Sequence, residues 1–241
     1  MAGAVIALFG WYVVTRTLDV LRGFGPIETF TNLPRLLIQN RFWISLLLSL
    51  ERLLGGLALA ALIGIPLGIA IGHFRWFADA SYVPFQVIRM VSPLSWAPVA
   101  IIVFGIGSAP VYFLIAIAAV WPIALNTAAG IRSAEPRWID AARCLGADQI
   151  DLLRFVILRA ALPNILTGIQ LALGVAWIVL VPAEMLGVAS GLGYLILDFR
   201  DVNDYASIMS LIVVIGGLGL LVDWPTRRAV RWAGAYRGSH E

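Results

Sequence analysis

Five long apolar stretches and one charged insert set the layout of this chain. Leu53–Gly72 runs for 20 residues without a charge, and Ile44–Leu50 extends it upstream past Glu51 and Arg52. No charge occurs from Met90 to Ile131, a run of 42 residues. Ala160–Ala183 and Tyr205–Val222 are two further uncharged blocks, and the N-terminus opens MAGAVIALFGWYVV. A membrane-spanning helix takes about 20 apolar residues, so the 42-residue block is too long for one span. FGIGSAP at 104–110 places glycine and proline at its middle and divides it into two helices joined by a tight turn. The pattern therefore predicts six spans, near 2–18, 44–72, 83–106, 110–131, 165–187 and 205–223. The first arginine, Arg16, follows the N-terminal apolar run instead of preceding it. That run is read as a first spanning helix, short or clipped at its cytoplasmic end, and not as a cleaved signal. Segment 19–42 is expected to form an outer amphipathic helix around LPRLLIQN, its arginines at the headgroups.

Between the fourth and fifth predicted spans the pattern changes. Residues Arg132–Arg159 hold nine of the 31 charged residues in 28 positions. Trp138, Ala141, Ala142 and Leu145 fall on one helical face, and Arg137, Asp140 and Arg143 recur on another. Gly146 interrupts as a helix C-cap glycine does. Asp148 is placed to cap a second helix, Asp151 adds negative charge to its first turn, and Ile150, Leu153 and Ile157 make its apolar stripe. Pro163 is expected to turn the chain back toward the membrane. A merely solvated connection explains the charges. It does not explain a strongly periodic link of about 30 residues, when connections are mostly short. The apolar stripes need a surface to bury against.

Composition sharpens this layout. The chain has 241 residues, 61% hydrophobic and 13% charged, against about 25% charged in globular domains. It reads as an all-α integral membrane protein, a single transmembrane domain over 1–241 with the charged loop at about 132–164. All 17 basic residues are arginine, which excludes a P-loop lysine, a Schiff-base lysine and a lysine general base. If ATP is used, another chain binds it. Cys144 is the only cysteine, so there is no intramolecular disulfide and no cysteine metal cluster, and His73 and His240 lie too far apart in sequence to suggest zinc. The net charge of +3 is no nucleic-acid footprint; its meaning lies in loop asymmetry. Ten arginines lie on the side holding 73–82, 132–164 and 224–241, against five on the other, which puts the charged insert and both termini in the cytoplasm.

Residues 139–163, IDAARCLGADQIDLLRFVILRAALP, resemble the EAA loop of ABC-importer permeases, whose pattern is E-A-A, three residues, G, nine residues, then I-x-L-P. Asp140, Ala141 and Ala142 stand for E-A-A, with Gly146 at the glycine. Val156 and Leu158 take the I-x-L positions, Arg159 stands where the pattern has proline, and Leu162-Pro163 follows. MVSPLSWAP (90–98), WPIALNTAAGI (121–131) and GVAWIVLVPAEMLGVASGLGYLI (174–196) are similar to permeases of the nitrate, sulfonate, taurine and bicarbonate class. The resemblance implies a type I importer permease (MetI-like) fold of about six transmembrane helices in a bacterial inner membrane. It implies a transport subunit and no enzyme, moving a small oxyanion inward by alternating access. Implied partners are a second permease subunit, in a homodimer, two cytoplasmic ATP-binding subunits that hold ATP and Mg, an extracytoplasmic solute-binding protein, and lipid. Asp140, Ala141, Ala142, Leu145 and Gly146 would couple to the ATPase. Ala141 and Ala142 allow close approach of a partner surface, and Asp140 offers a charge to an arginine.

Candidates for the path or its gate come from polar residues inside spans. Glu184 is an intramembrane carboxylate, a functional hypothesis by default; a bare carboxylate repels an anion, so gating or helix pairing suits it better than solute contact. Its other reading is a hydrated structural group at the outer interface. Arg89 offers positive potential to an anion, or else pairs with Glu51 or Glu184, or snorkels to the headgroups. Ser92, Ser95 and Trp96 sit between Pro93 and Pro98, where freed backbone groups need partners or a cavity. Asn126, Gln170 and Trp177 are further candidates beside Thr127, Asn164 and Thr167, most of which serve helix contacts. Trp43, Trp76, Trp121 and Trp224 read as interface anchors. The rival reading is an ion-coupled secondary transporter without an ATPase, with Glu184 carrying protons; it leaves the docking loop unexplained. An intramembrane serine protease lacks a histidine in the layer of Ser108, and an inert scaffold needs no polar residues inside its spans.

Overall fold

The structure is a computed structural model and describes residues 2–17 and 23–238. His240, Arg22 and the start of segment 19–42 lie outside the described residues. Helices occupy nearly all of what is described, and no strand occurs among the described residues. They are α1 (Ala2–Thr17), α2 (Pro26–Ile38), α3 (Asn40–His73), α4 (Arg75–Met90), α5 (Ala97–Phe104), α6 (Ser108–Arg132), α7 (Pro136–Cys144), α8 (Gln149–Asp151), α9 (Leu158–Gly187), α10 (Leu192–Asp201) and α11 (Tyr205–Gly238). A π-helical stretch, Leu152–Ile157, joins α8 to α9 without a break, and a 3₁₀ turn, Pro93–Trp96, precedes α5.

Helices α3, α6 and α9 form the centre. Leu53 and Ala60 of α3, Leu114, Ile115 and Ile123 of α6, and Ala172, Ala176 and Leu180 of α9 share one buried cluster. Lipid tails are as apolar as leucine, so in a membrane close packing has to supply much of the cohesion. Small residues make that approach available. Gly64, Gly68 and Gly72 of α3 lie directly against the backbone carbonyls of Val120, Ala124 and Ala128 of α6. A Cβ at Gly68 would sit 2.5 Å from the Ala124 oxygen and 2.5 Å from the Thr127 Cβ. Gly68→Val is therefore expected to lower the melting point of the purified protein by roughly 5 °C or more, from an overpacking cost of about 1–3 kcal/mol. Gly216→Ala, where a Cβ meets nothing within 4 Å, is the matched control. Equal melting of the two variants would show that the helices can separate freely.

The outer layer covers one end of this centre. Helix α2 lies on it through Leu36, which clusters with Phe42, Leu192, Leu195 and Leu211. Ser210 Oγ donates to the Thr29 carbonyl at 2.8 Å and Asn32 Nδ2 to Ser207 Oγ at 2.8 Å. The amphipathic helix expected around LPRLLIQN is thus α2.

Several expectations are corrected. Among the described residues four helices are long and apolar enough to cross a membrane: Asn40–His73, Ser108–Arg132, Gln149–Gly187 and Tyr205–Arg228. A fifth exists only if Arg75–Met90 and Pro93–Phe104 are counted together, and they are bent by 85°. The described part of α1 covers 16 residues, and the first span expected near 2–18 is not among those four. The straight third span near 83–106 fails because Pro93 pushes Ser92 out of the helical region, to φ −58 and ψ 130. Residues 75–82, expected as a loop, are helical. So are Leu192–Asp201, where spacing suggested only a connection. Pro163 does not turn the chain; it lies inside α9. There the burial of Ile157, Ala161 and Ile165 against Ile131 outweighs the hydrogen bond that proline forgoes.

Candidate functional site

The charged insert starts at the end of α6, where Arg132 Nη2 donates to the Ile71 carbonyl at 2.9 Å, and holds one short helix, α7, that stops at a glycine. The second short helix expected after Gly146 is instead the first turn, α8, of a continuous helix Gln149–Gly187 of 39 residues. Gly146 has φ +87. Its N–H bonds the Arg143 carbonyl at 2.9 Å, and the Ala147 N–H reaches back to Ala142 at 3.0 Å. That pair is the Schellman closure, which wants a residue without Cβ. Asp148 then caps α8, accepting from the Ile150 and Asp151 amides at 2.8 Å each, a contribution of about 1 kcal/mol. At the start of α7, Arg137 Nη2 donates to Glu135 Oε1 at 2.7 Å, and this carboxylate holds the guanidinium charged above its ordinary value. Asp140 and Arg143 are a loose 3.9 Å pair in solvent.

The stripes divide between two surfaces. Ile157 is buried in the bundle with Leu153 against it. Trp138, Leu145 and Ile150 stand out from it, with Leu145 89% exposed. Three large apolar side chains are thus left exposed beside charged groups at this end of the bundle. Asp140 and Ala141 are exposed on the same short helix and Ala142 is half-buried.

The eight path or gate candidates separate into four places. Arg89 and Trp96 line one cleft of about 310 Å³ with Trp121 and Pro122, and Ser92 and Ser95 sit exposed on the bend beside it. A second cleft, of about 350 Å³, shares Arg89, Trp121 and Leu125 and runs on to Ser81, Tyr82 and Arg132. Trp121 is therefore no interface anchor. It lies at the middle of the 25-residue α6 and walls this groove. Asn126 is turned onto its own helix, donating to the Pro122 carbonyl at 2.8 Å. Gln170 and Trp177 lie between α9 and α11, in a separate cleft of about 390 Å³ with Asp223 and Arg227.

Glu184 is at the far end of the bundle from α7, and fully buried. Arg52 Nη1 donates to its Oε1 at 2.8 Å, the Gly193 N–H to its Oε2 at 2.9 Å, and Ser49 Oγ lies 2.8 Å from Oε1. Arg52, itself 3% exposed, also donates to the Ser190 carbonyl at 2.8 Å, to Ser190 Oγ at 2.7 Å and to Ser108 Oγ at 3.1 Å. Four segments are thereby tied: α3, the start of α6, the end of α9 and the turn into α10. The turn wraps the carboxylate closely. A Cβ at Gly191 (φ +105) would lie 2.3 Å from Glu184 Oε1. Neither of the pairings considered for Arg89 forms, since Glu51 accepts from Tyr112 Oη at 2.7 Å and Glu184 takes Arg52. Sequence reasoning missed Ser49 and Arg52. Their signal was present: Ser49 and Arg52 are polar residues three apart, hence on one helical face, inside a long apolar helix.

Against known proteins, residues 64–232 match the family described as the binding-protein-dependent transport system inner membrane component. The chain belongs to this permease family. The bicarbonate transport system permease protein CmpB of Synechococcus elongatus is 38% identical over 96% of this chain and 86% of that protein. The nitrate import permease protein NrtB of the same organism is 32% identical over 93% of this chain and 84% of that one. A chain of the MetNI methionine ABC transporter in an inward-facing form superposes with a TM-score of 0.65 at 19% identity, covering 77% of this chain and 92% of that chain. That likeness is one of fold: the chain is an all-α permease of the MetI-type importer architecture. It is thus a multi-pass inner-membrane component of an ABC transporter and a transport subunit, not an enzyme. Permeases of this family work with ATPase and binding-protein partners.

Proposed function

We propose that the whole chain, 1–241, acts as one permease domain that imports a small oxyanion, of which bicarbonate and nitrate are the first candidates. Two identical copies form the path, with both termini and loop 132–164 in the cytoplasm. Two ATPase subunits hold ATP and Mg; this chain holds neither. Asp140, Ala141, Ala142, Leu145 and Gly146 form the face that enters an ATPase groove, and an extracytoplasmic binding protein delivers the solute at the opposite end. The observation that carries the reading is the presentation of Trp138, Leu145 and Ile150 outside the bundle on two capped helices. Rigid coupling of such a docked element to a bundle with two arrangements transmits ATP-driven closure to the path. The identities of CmpB and NrtB over most of this chain support the solute class.

The ion-coupled alternative asks Glu184 to exchange protons with water. Both its oxygens are instead occupied by Arg52, Ser49 and Gly193 in a fully buried site, which argues against it.

The test is reconstitution in vesicles with an ATPase subunit and a binding protein. Uptake of labelled bicarbonate or nitrate is expected only with ATP and with both partners present. Uptake that persists without ATP, driven by an ion gradient, would overturn the proposal.

A further inference from the structure

The groove along α4 and α6 holds a charge whose position the docking loop does not explain. Arg89 faces Trp121 and Pro122, at the middle of α6, which at about 1.5 Å per residue is far from either end of the helix. Its Nη2 donates to Gln86 Oε1 at 2.8 Å. Its other donors have no partner, and it has no acidic neighbour, among the described residues. No aspartate or glutamate lines either stretch of the groove, while Arg132 stands at its α7 end. An arginine at this depth faces a watery cavity or another protein surface and not lipid. The face of α4 that carries it is therefore turned to the path.

We infer that Arg89 is the anion-selecting residue of the path, resting on the proposal that the chain imports a small oxyanion. Gln86 holds one edge of the guanidinium, and the remaining donors point a planar fork at a groove walled by Trp96 and Trp121. Such a fork matches the flat, two-oxygen edge of nitrate, bicarbonate or a carboxylate. In a groove without carboxylates its field repels cations and gives neutral solutes no advantage. Arg132 extends the positive potential to the exit. In a twofold pair of copies, two such residues would flank one path.

The test reads the potential and the transport separately. In the transporter assembled with cysteine-free partner subunits, Cys144→Ser removes this chain's only cysteine and Ser92→Cys places one on the exposed bend beside Arg89. The reaction rates of an anionic sulfonatoethyl and a cationic trimethylammonioethyl methanethiosulfonate are then compared. The anionic-to-cationic rate ratio is expected to fall at least fivefold in Arg89→Gln and to return to within twofold in Arg89→Lys. With Cys144 and Ser92 intact, vesicle uptake of nitrate and bicarbonate is expected to fall at least tenfold in Arg89→Gln and less in Arg89→Lys. An unchanged ratio, a cysteine that neither reagent reaches, or loss of the assembled complex in Arg89→Gln would overturn the inference. If unaltered Arg89 gives the expected ratio but the transporter takes up neither anion, the choice of solute fails and the selecting role of Arg89 stands.

Discussion

Glu184→Ala is expected to lower the melting point of the purified permease by roughly 10 °C and to remove most of its monodisperse fraction. The cause is what the substitution leaves behind. Arg52 is 3% exposed, and its charge is balanced by this one carboxylate at 2.8 Å. A buried pair broken from one side costs about 3–5 kcal/mol because the remaining charge cannot be rehydrated; at roughly 2–4 °C per kcal/mol for a chain of this size, that gives the shift. The Gly193 N–H and Ser49 lose an acceptor as well. The informative arm is the double variant Arg52→Gln with Glu184→Gln. Removing both charges is expected to recover at least half of the single-variant loss, since a neutral pair leaves no stranded ion. Exchanging the two residues is not expected to help, because an arginine at 184 would aim donors at the Gly193 N–H in a turn with no room at Gly191. Thermal melting by fluorescence decides the matter, and a single-variant shift under 2 °C would mean the network is ornamental to stability.

Gly146→Val is expected to insert and fold, yet to lose at least tenfold in solute uptake while ATP hydrolysis continues without it. A Cβ at this position meets nothing within 4 Å, so no core contact is disturbed. The penalty is in the backbone alone. With φ at +87, an ordinary side chain costs about 1–2 kcal/mol and a β-branched one more. The turn relaxes, and Trp138 on α7 and Leu145 at its C-cap are re-aimed relative to α8. Gly146→Asn is expected to keep most of the coupling, since asparagine tolerates the left-handed region. Uptake and binding-protein-stimulated ATPase activity, measured in the same vesicles, give the ratio of solute moved to ATP split. An unchanged ratio in the valine variant would dissociate this turn from coupling.

The two predictions concern opposite ends of one rigid centre. Glycines on α3 set against carbonyls on α6 couple the Arg52–Glu184 end to the α7 end through continuous helices. On the proposed docking of the loop, its movement would pass into α9, which continues from α8 without a break.

What the sequence determined by itself was local and repetitive. Long uncharged runs required a membrane. Helical spacing, Gly146 and Asp148 specified two capped helices, because caps and turns are decided by residues within a few positions of each other. The EAA-like spacing pointed to the family that the comparisons establish. Tertiary structure alone decided which faces meet. Arg52 and Glu184 are 132 positions apart, and nothing in either neighbourhood names the other. The bend at Ser92 was encoded by Pro93, but a run of apolar residues reads alike whether it crosses straight or turns by 85°. Trp121 read as a membrane-edge anchor from its residue type, although it stands mid-way along the span expected over 110–131; its place in the wall of a groove depends on how α4 packs beside α6. α10 read as a connection because its helix is held by Leu192 and Leu195 in a cluster contributed by α2, α3 and α11. Periodicity reports a residue's place on its own helix; the packing of helices from distant parts of the chain settles whether that place faces lipid, protein or a path.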